Sequence, residues 1–286
     1  STEMIQLNSL NIFNELSEHI GLRIHSCNEA LHPQGWVESK VHKDYDLWLL
    51  RKGQIEIRID NNVHLATEGD LILFNPKAAY TATTTMGNGC QFVFIHFDFG
   101  LGNHLRILDN FHLSGIVAGS LAQEEIQLFL NAYEQHRRGA SMSGIRLKGC
   151  FTILISKIME RYGLGEYRGE FMNNPSRRSM QTNSLHALQS VFDYIQEHLH
   201  HTIRIPELAI LAGMSEKYFI LYFKQAVGIT PGLYMYQLRM NRARELLYTK
   251  NYTIQQIAGM LGYPDPYSFS KAFKKLYKVP PSQFVW

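Results

Sequence analysis

The chain predicts an α+β protein of two domains. A small β-barrel with covering helices comes first, and an all-α domain with two helix-turn-helix units joined by a linker helix follows. Three observations lead there. Between residues 36 and 100, short alternating apolar segments are broken by turn residues every 7–10 positions. From Gln123 onward the apolar spacing changes to three and four. The stretch ELAILAGMSEKYFILYFKQAVGITPG at 207–232 is then said again as QIAGMLGYPDPYSFSKAFKKLYKVPPS at 256–282. A repeat of that length marks a duplicated supersecondary unit.

The 286 residues leave room for about two domains, and a hydrophobic content of 45 % is that of a folded globular protein. No apolar run approaches the roughly 18 residues of a membrane span, and the N-terminal stretch lacks the basic-then-apolar order of a secretory signal. Cys27, Cys90 and Cys150 are odd in number and widely spaced, with no Cys/His zinc pattern. Reduced thiols in a cytoplasmic protein are expected. The net charge of +3 is unevenly placed. From Asn183 to Trp286 there are 11 Lys and Arg against 6 Asp and Glu, whereas residues 1–182 hold 17 against 19. A basic C-terminal part suits an anion-binding module, although +5 over a hundred residues is also ordinary surface charge.

In the first domain, VHKDYDLWLLRKGQIEIRID alternates, and the breaks RKG, DNN, EGD and NPK bound short strands. QFVFIHFDF closes the series, and strands at this spacing suit a small barrel or sandwich. QEEIQLFLNAYEQHRR and IRLKGCFTILISKIMERY then predict two amphipathic helices. Residues 163–183, rich in Gly, Asn, Ser and Arg, predict a linker between domains at 1–162 and 184–286. SLHALQSVFDYIQEHLHH opens the second domain, with Asn183 or Ser184 as its cap.

Each repeat spells helix, tight turn, helix. In the first copy Pro206 suits a first helical turn, Gly213 supplies the turn, and Ser215 caps EKYFILYFKQAV. Gly228 ends that helix before Thr230 and Pro231 start the next. In the second copy Ile254, Ile257, Ala258 and Leu261 form the first helix. Gly262 turns the chain, and Asp265 and Pro266 start YSFSKAFKKLY. Phe219/Phe223 and Phe269/Phe273 are spaced by four, which points them into the core. An α-helix fits the DNA major groove, and the helix after such a turn enters it. Lys217, Lys224, Lys271, Lys274 and Lys275 can reach phosphates or base edges, and the helix starts after Ser215 and Asp265 are candidate phosphate sites. A single such unit could be an ordinary αα-hairpin; two matching copies make DNA binding the better reading.

On ELAILAGMS, F-x-x-x-F-K, GITP, QLRMNRARELL, IAGMLGYPDPYSFSKAFKK and VPPSQF, roughly the last hundred residues resemble the AraC/XylS family of bacterial transcription regulators. The resemblance implies two recognition helices in consecutive major grooves. It maps the base-contacting positions onto Lys217, Ile220 and Leu221 in the first unit, and onto Tyr267, Ser270 and Lys271 in the second. Where the family often carries Ser-Arg or Thr-Arg, the second unit has Ser270-Lys271 and the first has Ile220-Leu221. Those two apolar side chains can touch thymine methyls but cannot hydrogen-bond to guanine.

The β region resembles the cupin-like sensor domain of such regulators, with HKDYDLWLLRKG and EGDLILFNPKAAY at its two motifs. The metal-ligand positions of that resemblance hold Lys40, His42, Asp46 and Tyr80. Two plausible ligands of four is a poor set, so no metal and no cofactor are expected, and the protein is not expected to be an enzyme. Trp36, His42, Asp46, Trp48, Lys52, Tyr80, Phe92, Phe94 and His96 are instead the candidate effector residues. Aromatic faces beside hydrogen-bonding groups suit a sugar or sugar derivative. The expected partners are double-stranded DNA, one small effector and a second copy of the chain. Ile126, Phe129, Leu130, Tyr133, Leu154 and Ile158 are available either to cover the barrel or to form a dimer. Two other classes stay open: a metal-dependent cupin enzyme with a DNA-binding tail, and a DNA-binding dimer without an effector.

Overall fold

The computed structural model describes residues 12–76, 78–84, 87, 89–102, 108, 115–169 and 187–284. The chain divides into two compact units: residues 1–10, 21–100 and 105–182 form one, and 11–20, 101–104 and 183–286 form the other.

Among the described residues, unit 1 is built on eight strands: β1 (Ile20–His32), β2 (Val37–Val41), β3 (Tyr45–Ile59), β4 (Asn62–Thr67), β5 (Leu71–Phe74), β6 (Ala79–Thr83), β7 (Cys90–Leu101) and β8 (Gly115–Val117). They form an open sheet, refining the expected barrel, with the path β1-β7-β3-β5-β8 and a second group in which β3 also pairs β4 and β6, and β6 pairs β2. The long strand β3 belongs to both groups. Its first part, Asp46–Leu49, pairs with β5, and its second part, Gln54–Ile59, pairs with β4. The changeover lies at a register shift between Leu50 and Lys52. A bulge there bends the strand from one layer into the other. Gly53 follows, with φ +82 and its Cα facing the carbonyl of Gly89 so closely that no Cβ would fit.

Because side chains alternate along a strand, β3 and β7 each serve two cores. Trp48 and Leu50 of β3 and Phe92 of β7 face the interior with Ile55, Ile57, Phe74 and Tyr80. On the other side Tyr45 and Phe97 meet at 5.6 Å, and Phe97 touches Phe151 edge-on at 4.9 Å. Phe151 belongs to the second of two helices, α1 (Gln123–Arg137) and α2 (Ser143–Gly163). The sequence left these helices open between covering the sheet and forming a dimer. The structure commits Phe129, Tyr133, Leu154 and Ile158 to the core and leaves Leu128, Ile145 and Ile153 exposed. The strand β1 was not anticipated, because only Leu22 along it is buried and its sequence carries no clear alternation.

The start of the stretch read as linker is attached to unit 1. Arg168 bridges to Ile116 of β8 through backbone bonds and pairs with Asp70. Residues 170–186, with the rest of that stretch and the expected Asn183 or Ser184 cap, lie outside the described residues.

Unit 2 holds α3 (Gln189–His198), α4 (Ile205–Leu211), α5 (Glu216–Val227), α6 (Pro231–Thr249), α7 (Ile254–Met260), α8 (Pro266–Tyr277) and α9 (Pro281–Phe284). The two copies of the repeat have helices of equal length, 7 then 12 residues. The repeat offset is 49 at the glycines and 50 at the phenylalanines, and the extra residue falls in the second turn. Ser215 accepts from the Tyr218 N–H, Thr230 from Leu233 and Asp265 from Ser268, each satisfying a helix-start donor. Gly213 and Gly262 take φ +66 and +74 in the two turns. A capping box between Thr253 and Gln256 at the start of α7 was not read from sequence. Phe219, Phe223, Phe269 and Phe273 are all fully buried, as their spacing predicted. The helix α6 packs on both halves, and its Tyr236 donates to the Ala272 carbonyl of α8 at 2.7 Å.

Candidate functional site

In both repeats, burial of the phenylalanines on one side of the second helix turns the other side to solvent. On α5, Lys217, Leu221 and Lys224 are exposed and Ile220 is half-buried. On α8, Tyr267, Lys271, Lys274 and Lys275 are exposed and Ser270 is half-buried. These are the positions the sequence singled out. One of them has a second partner: the Lys275 ammonium lies 6.0 Å from the ring centre of Tyr236 on α6. The two helix starts differ in their caps. Ser215 is a neutral cap, whereas Asp265 puts a carboxylate at the start of α8, held below the usual carboxylate range by the Ser268 backbone and hydroxyl. The first turn of α5 carries its own carboxylate, Glu216, so a phosphate at either helix start would meet one negative charge.

Within unit 1 the polar candidates converge. Asp46 and His96 are direct partners across β3 and β7, so the pleat turns both side chains to the same face. His42, in the turn before β3, brings its Nε2 to 3.0 Å from Asp46 Oδ2 and 2.7 Å from the Tyr80 hydroxyl of β6. His96 Nε2 stands 3.6 Å from the same Asp46 oxygen, while its Nδ1 is 3.3 Å from Asp44 Oδ1. The Trp48 indole N–H donates to Asp46 Oδ2 at 2.8 Å. The other oxygen of Asp46, Oδ1, is buried and has no hydrogen-bond partner among the described residues. A buried acceptor left without a donor costs about 1–3 kcal/mol.

Burial sets the protonation behaviour. Loss of hydration pushes the Asp46 carboxyl up to about 7, against the pull of His96 and the Trp48 N–H. It pushes His42 down to about 4, helped by Lys40 and His96. Desolvation also raises Tyr80, with Glu38 and Asp46 adding to it. Near neutrality His42 and Tyr80 are therefore uncharged, while Asp46 is poised between its two forms and a positive partner would favour the carboxylate.

The aromatic candidates surround this group. Trp48 stacks on Phe92 at 4.3 Å, Phe74 on Tyr80 at 4.3 Å, and Trp48 meets Phe74 edge-on at 4.7 Å. Trp48, Tyr80 and Phe92 are buried in these contacts, while Trp36, Phe94 and His96 keep part of their surface. His32 stacks flat on Trp36 at 3.8 Å. Lys52 is the exception among the candidates: it lies just past the bulge and is exposed. Sequence reasoning missed Asp44, Phe74 and His32. Asp44 was within reach, being two residues from Asp46 in HKDYD; the pairing of β3 with β7 that makes it useful was not.

Residues 26–139 match the AraC-like ligand binding domain family, and residues 208–285 match a helix-turn-helix domain family. The chain is 33 % identical over 92 residues to the probable transcriptional regulator LumQ of Photobacterium leiognathi, a match covering 32 % of this chain and 37 % of that one. It is 30 % identical over 106 residues to the raffinose operon transcriptional regulatory protein RafR of Pediococcus pentosaceus, covering 37 % and 38 %. These matches thus span less than two fifths of the relatives' own length. A longer similarity, 22 % identical over 261 residues and covering 86 % of each chain, is to the HTH-type transcriptional regulator YisR of Bacillus subtilis (strain 168). One chain thus combines an AraC-like ligand binding domain with a helix-turn-helix domain, and the proteins it resembles are regulators of transcription.

Proposed function

We propose that this chain is a ligand-responsive, sequence-specific regulator of transcription. Residues 184–286 serve as the DNA reader, 1–162 as the effector and dimerisation domain, and 163–183 as the linker. The observation that carries the reading is the duplicated unit with two exposed helix faces, α5 and α8, held on one linker helix. Lys217, Lys224, Lys271, Lys274 and Lys275 supply phosphate or base contacts, and Leu221 supplies a methyl-sized apolar contact. Dimerisation through α1 and α2 is supported by Leu128, Ile145 and Ile153, which stay exposed after the sheet is covered. A chromosomal DNA partner fits a protein that works in the cytoplasm.

For the effector, a sugar or sugar derivative fits best, with control of genes for carbohydrate uptake or use. Half-buried Trp36 and Phe94 offer ring faces to sugar C–H groups, and Asp46 Oδ1 lacks the donor that a hydroxyl would bring. The relative RafR, by its name, regulates a raffinose operon. Ligand shifts the balance between preexisting arrangements only by binding one of them better.

Selection of bound duplexes from a random pool, with and without mono- and disaccharides, tests both parts. A two-part site whose enrichment changes with one sugar is the expected result. That sugar should also stabilise the protein by about 2.7 kcal/mol at a hundredfold excess over its dissociation constant. Enrichment of no sequence would sink the reader. Enrichment with no thermal shift from any sugar would sink the carbohydrate effector alone.

A further inference from the structure

The polar group inside unit 1 has a pattern of donors and acceptors that hydrogen bonding alone does not complete. His42 Nε2 faces the Tyr80 hydroxyl at 2.7 Å and Asp46 Oδ2 at 3.0 Å. One ring nitrogen either donates a proton or accepts one. If it donates to Asp46, the Tyr80 hydroxyl loses its acceptor there; if it accepts from Tyr80, its lone pair faces a carboxylate oxygen. His96 repeats the problem. A neutral His96 that donates Nδ1–H to Asp44 has its lone pair on Nε2, 3.6 Å from the same Asp46 oxygen. Two imidazole lone pairs then converge on one carboxylate, whose second oxygen is buried with no donor among the described residues. With Asp46 ionised, a cation seated between the two imidazoles and Asp46 Oδ2 would answer both lone pairs at once.

We infer that His42, Asp46 and His96 bind one divalent first-row transition-metal ion, with Asp44 as the positioning residue for His96. Two imidazoles and a carboxylate form a donor set suited to zinc, iron, cobalt or nickel, and less to calcium or magnesium. Bonds of about 2.1 Å put adjacent ligand atoms roughly 3.0–3.4 Å apart. The His42–Asp46 separation of 3.0 Å meets that, and the His96–Asp46 separation of 3.6 Å is close to it. One candidate atom from each residue lies within 4.8 Å of the others. That is somewhat wider than the roughly 4.2 Å that two such bonds can span. Binding therefore draws the half-buried His96 ring inward. The Asp44–His96 contact reproduces the carboxylate–histidine–metal relay that orients a ligand ring, and the Trp48 N–H does the same for Asp46.

This ligand set differs from the one the two sequence motifs imply. Lys40 and Tyr80 occupy motif positions but supply no ligand, and the third ligand, His96, comes from β7, outside both motif segments. Three protein ligands leave room in the coordination sphere for an oxygen of a bound small molecule. The inference goes beyond the effector reading and does not depend on it.

The test uses the full-length protein stripped with chelator, then titrated with cobalt(II) and, separately, with zinc. One equivalent per chain is expected, with cobalt d–d absorption and a rise in melting temperature. His96→Ala, at a half-buried position, should weaken binding at least a hundredfold. Asp46→Asn should do the same, and Asp44→Asn should weaken it about 10–100-fold. The other histidine-rich stretch, His198, His200 and His201, is the internal control. Absence of saturable binding overturns the inference. So does binding that survives His96→Ala but is lost in the His200→Ala/His201→Ala double variant. A sugar that stabilises the chelator-treated protein would keep the effector reading whichever way the titration falls.

Discussion

At the scale of single residues, the duplicated turns separate backbone demand from packing demand. Gly213 and Gly262 share a left-handed conformation, φ +66 and +74. A Cβ on Gly213 would meet nothing within 4 Å, whereas one on Gly262 would lie 2.7 Å from the His201 carbonyl oxygen. That oxygen is held in place by the Arg239 guanidinium, which donates to it at 3.0 Å from α6. Gly213→Ala should therefore cost about 1–2 kcal/mol, the strain of a left-handed L-residue. Gly262→Ala should cost clearly more, because backbone must move as well. Denaturant unfolding of the two variants checks this, and equal losses would show that packing at Gly262 contributes nothing. The need for a turn glycine was legible in both copies. The inequality was not, since the neighbour that creates it lies some sixty residues earlier in the chain.

At the scale of elements, the two proposed reading helices, α5 and α8, have the same length and the same buried phenylalanines but different exposed chemistry. The helix α8 presents Tyr267 and Lys271 with half-buried Ser270; α5 presents Lys217 and Leu221 with half-buried Ile220. A bidentate or well-placed hydrogen bond to a base is worth about 1–3 kcal/mol of discrimination, and a methyl contact gives less. The expected outcome is that Lys271→Ala relaxes preference at particular base pairs. Lys217→Ala should weaken all duplexes alike and lower the salt dependence by about one phosphate contact. Binding to a panel of single-base operator variants at several salt concentrations decides it. The reverse pattern would transfer base reading to α5. Helix identities and starts were legible here because caps, turn glycines and the four-residue spacing are local signals. The strand β1 was not, because a strand with a single fully buried residue carries no alternation of burial to read.

At the scale of the whole molecule, chain order and compact units do not coincide. Residues 11–20 belong to the same unit as the helix-turn-helix repeats. Within it Asn241 of α6 donates to the Glu15 carbonyl at 2.9 Å, and His19 Nε2 lies 3.0 Å from the Gln237 amide oxygen. Leu16 is fully buried. Leu16→Ala should then destabilise the C-terminal unit by about 2–5 kcal/mol. Hydrogen exchange should register the loss along α6, although the substitution lies more than two hundred residues away in sequence. Exchange that speeds up only in the β strands would contradict that assignment.

The sequence by itself determined the β-then-α order, the duplicated helix-turn-helix unit, its caps and turns, and the unequal chemistry of the exposed faces of its two second helices. All of these rest on interactions within a dozen residues, or on a repeat that a chain displays on its own. Only the tertiary structure decided that α1 and α2 spend Phe129, Tyr133, Leu154 and Ile158 on the core and leave Leu128, Ile145 and Ile153 exposed. The same holds for Lys52, which lies outward past a bulge, and for residues 11–20, which belong with the helix-turn-helix repeats. It also decided that His96 and Asp44 join His42 and Asp46 around one buried oxygen pair. Such groupings depend on which strands pair and in what register, and pairing energy comes from residues far apart in sequence that carry no mark of each other.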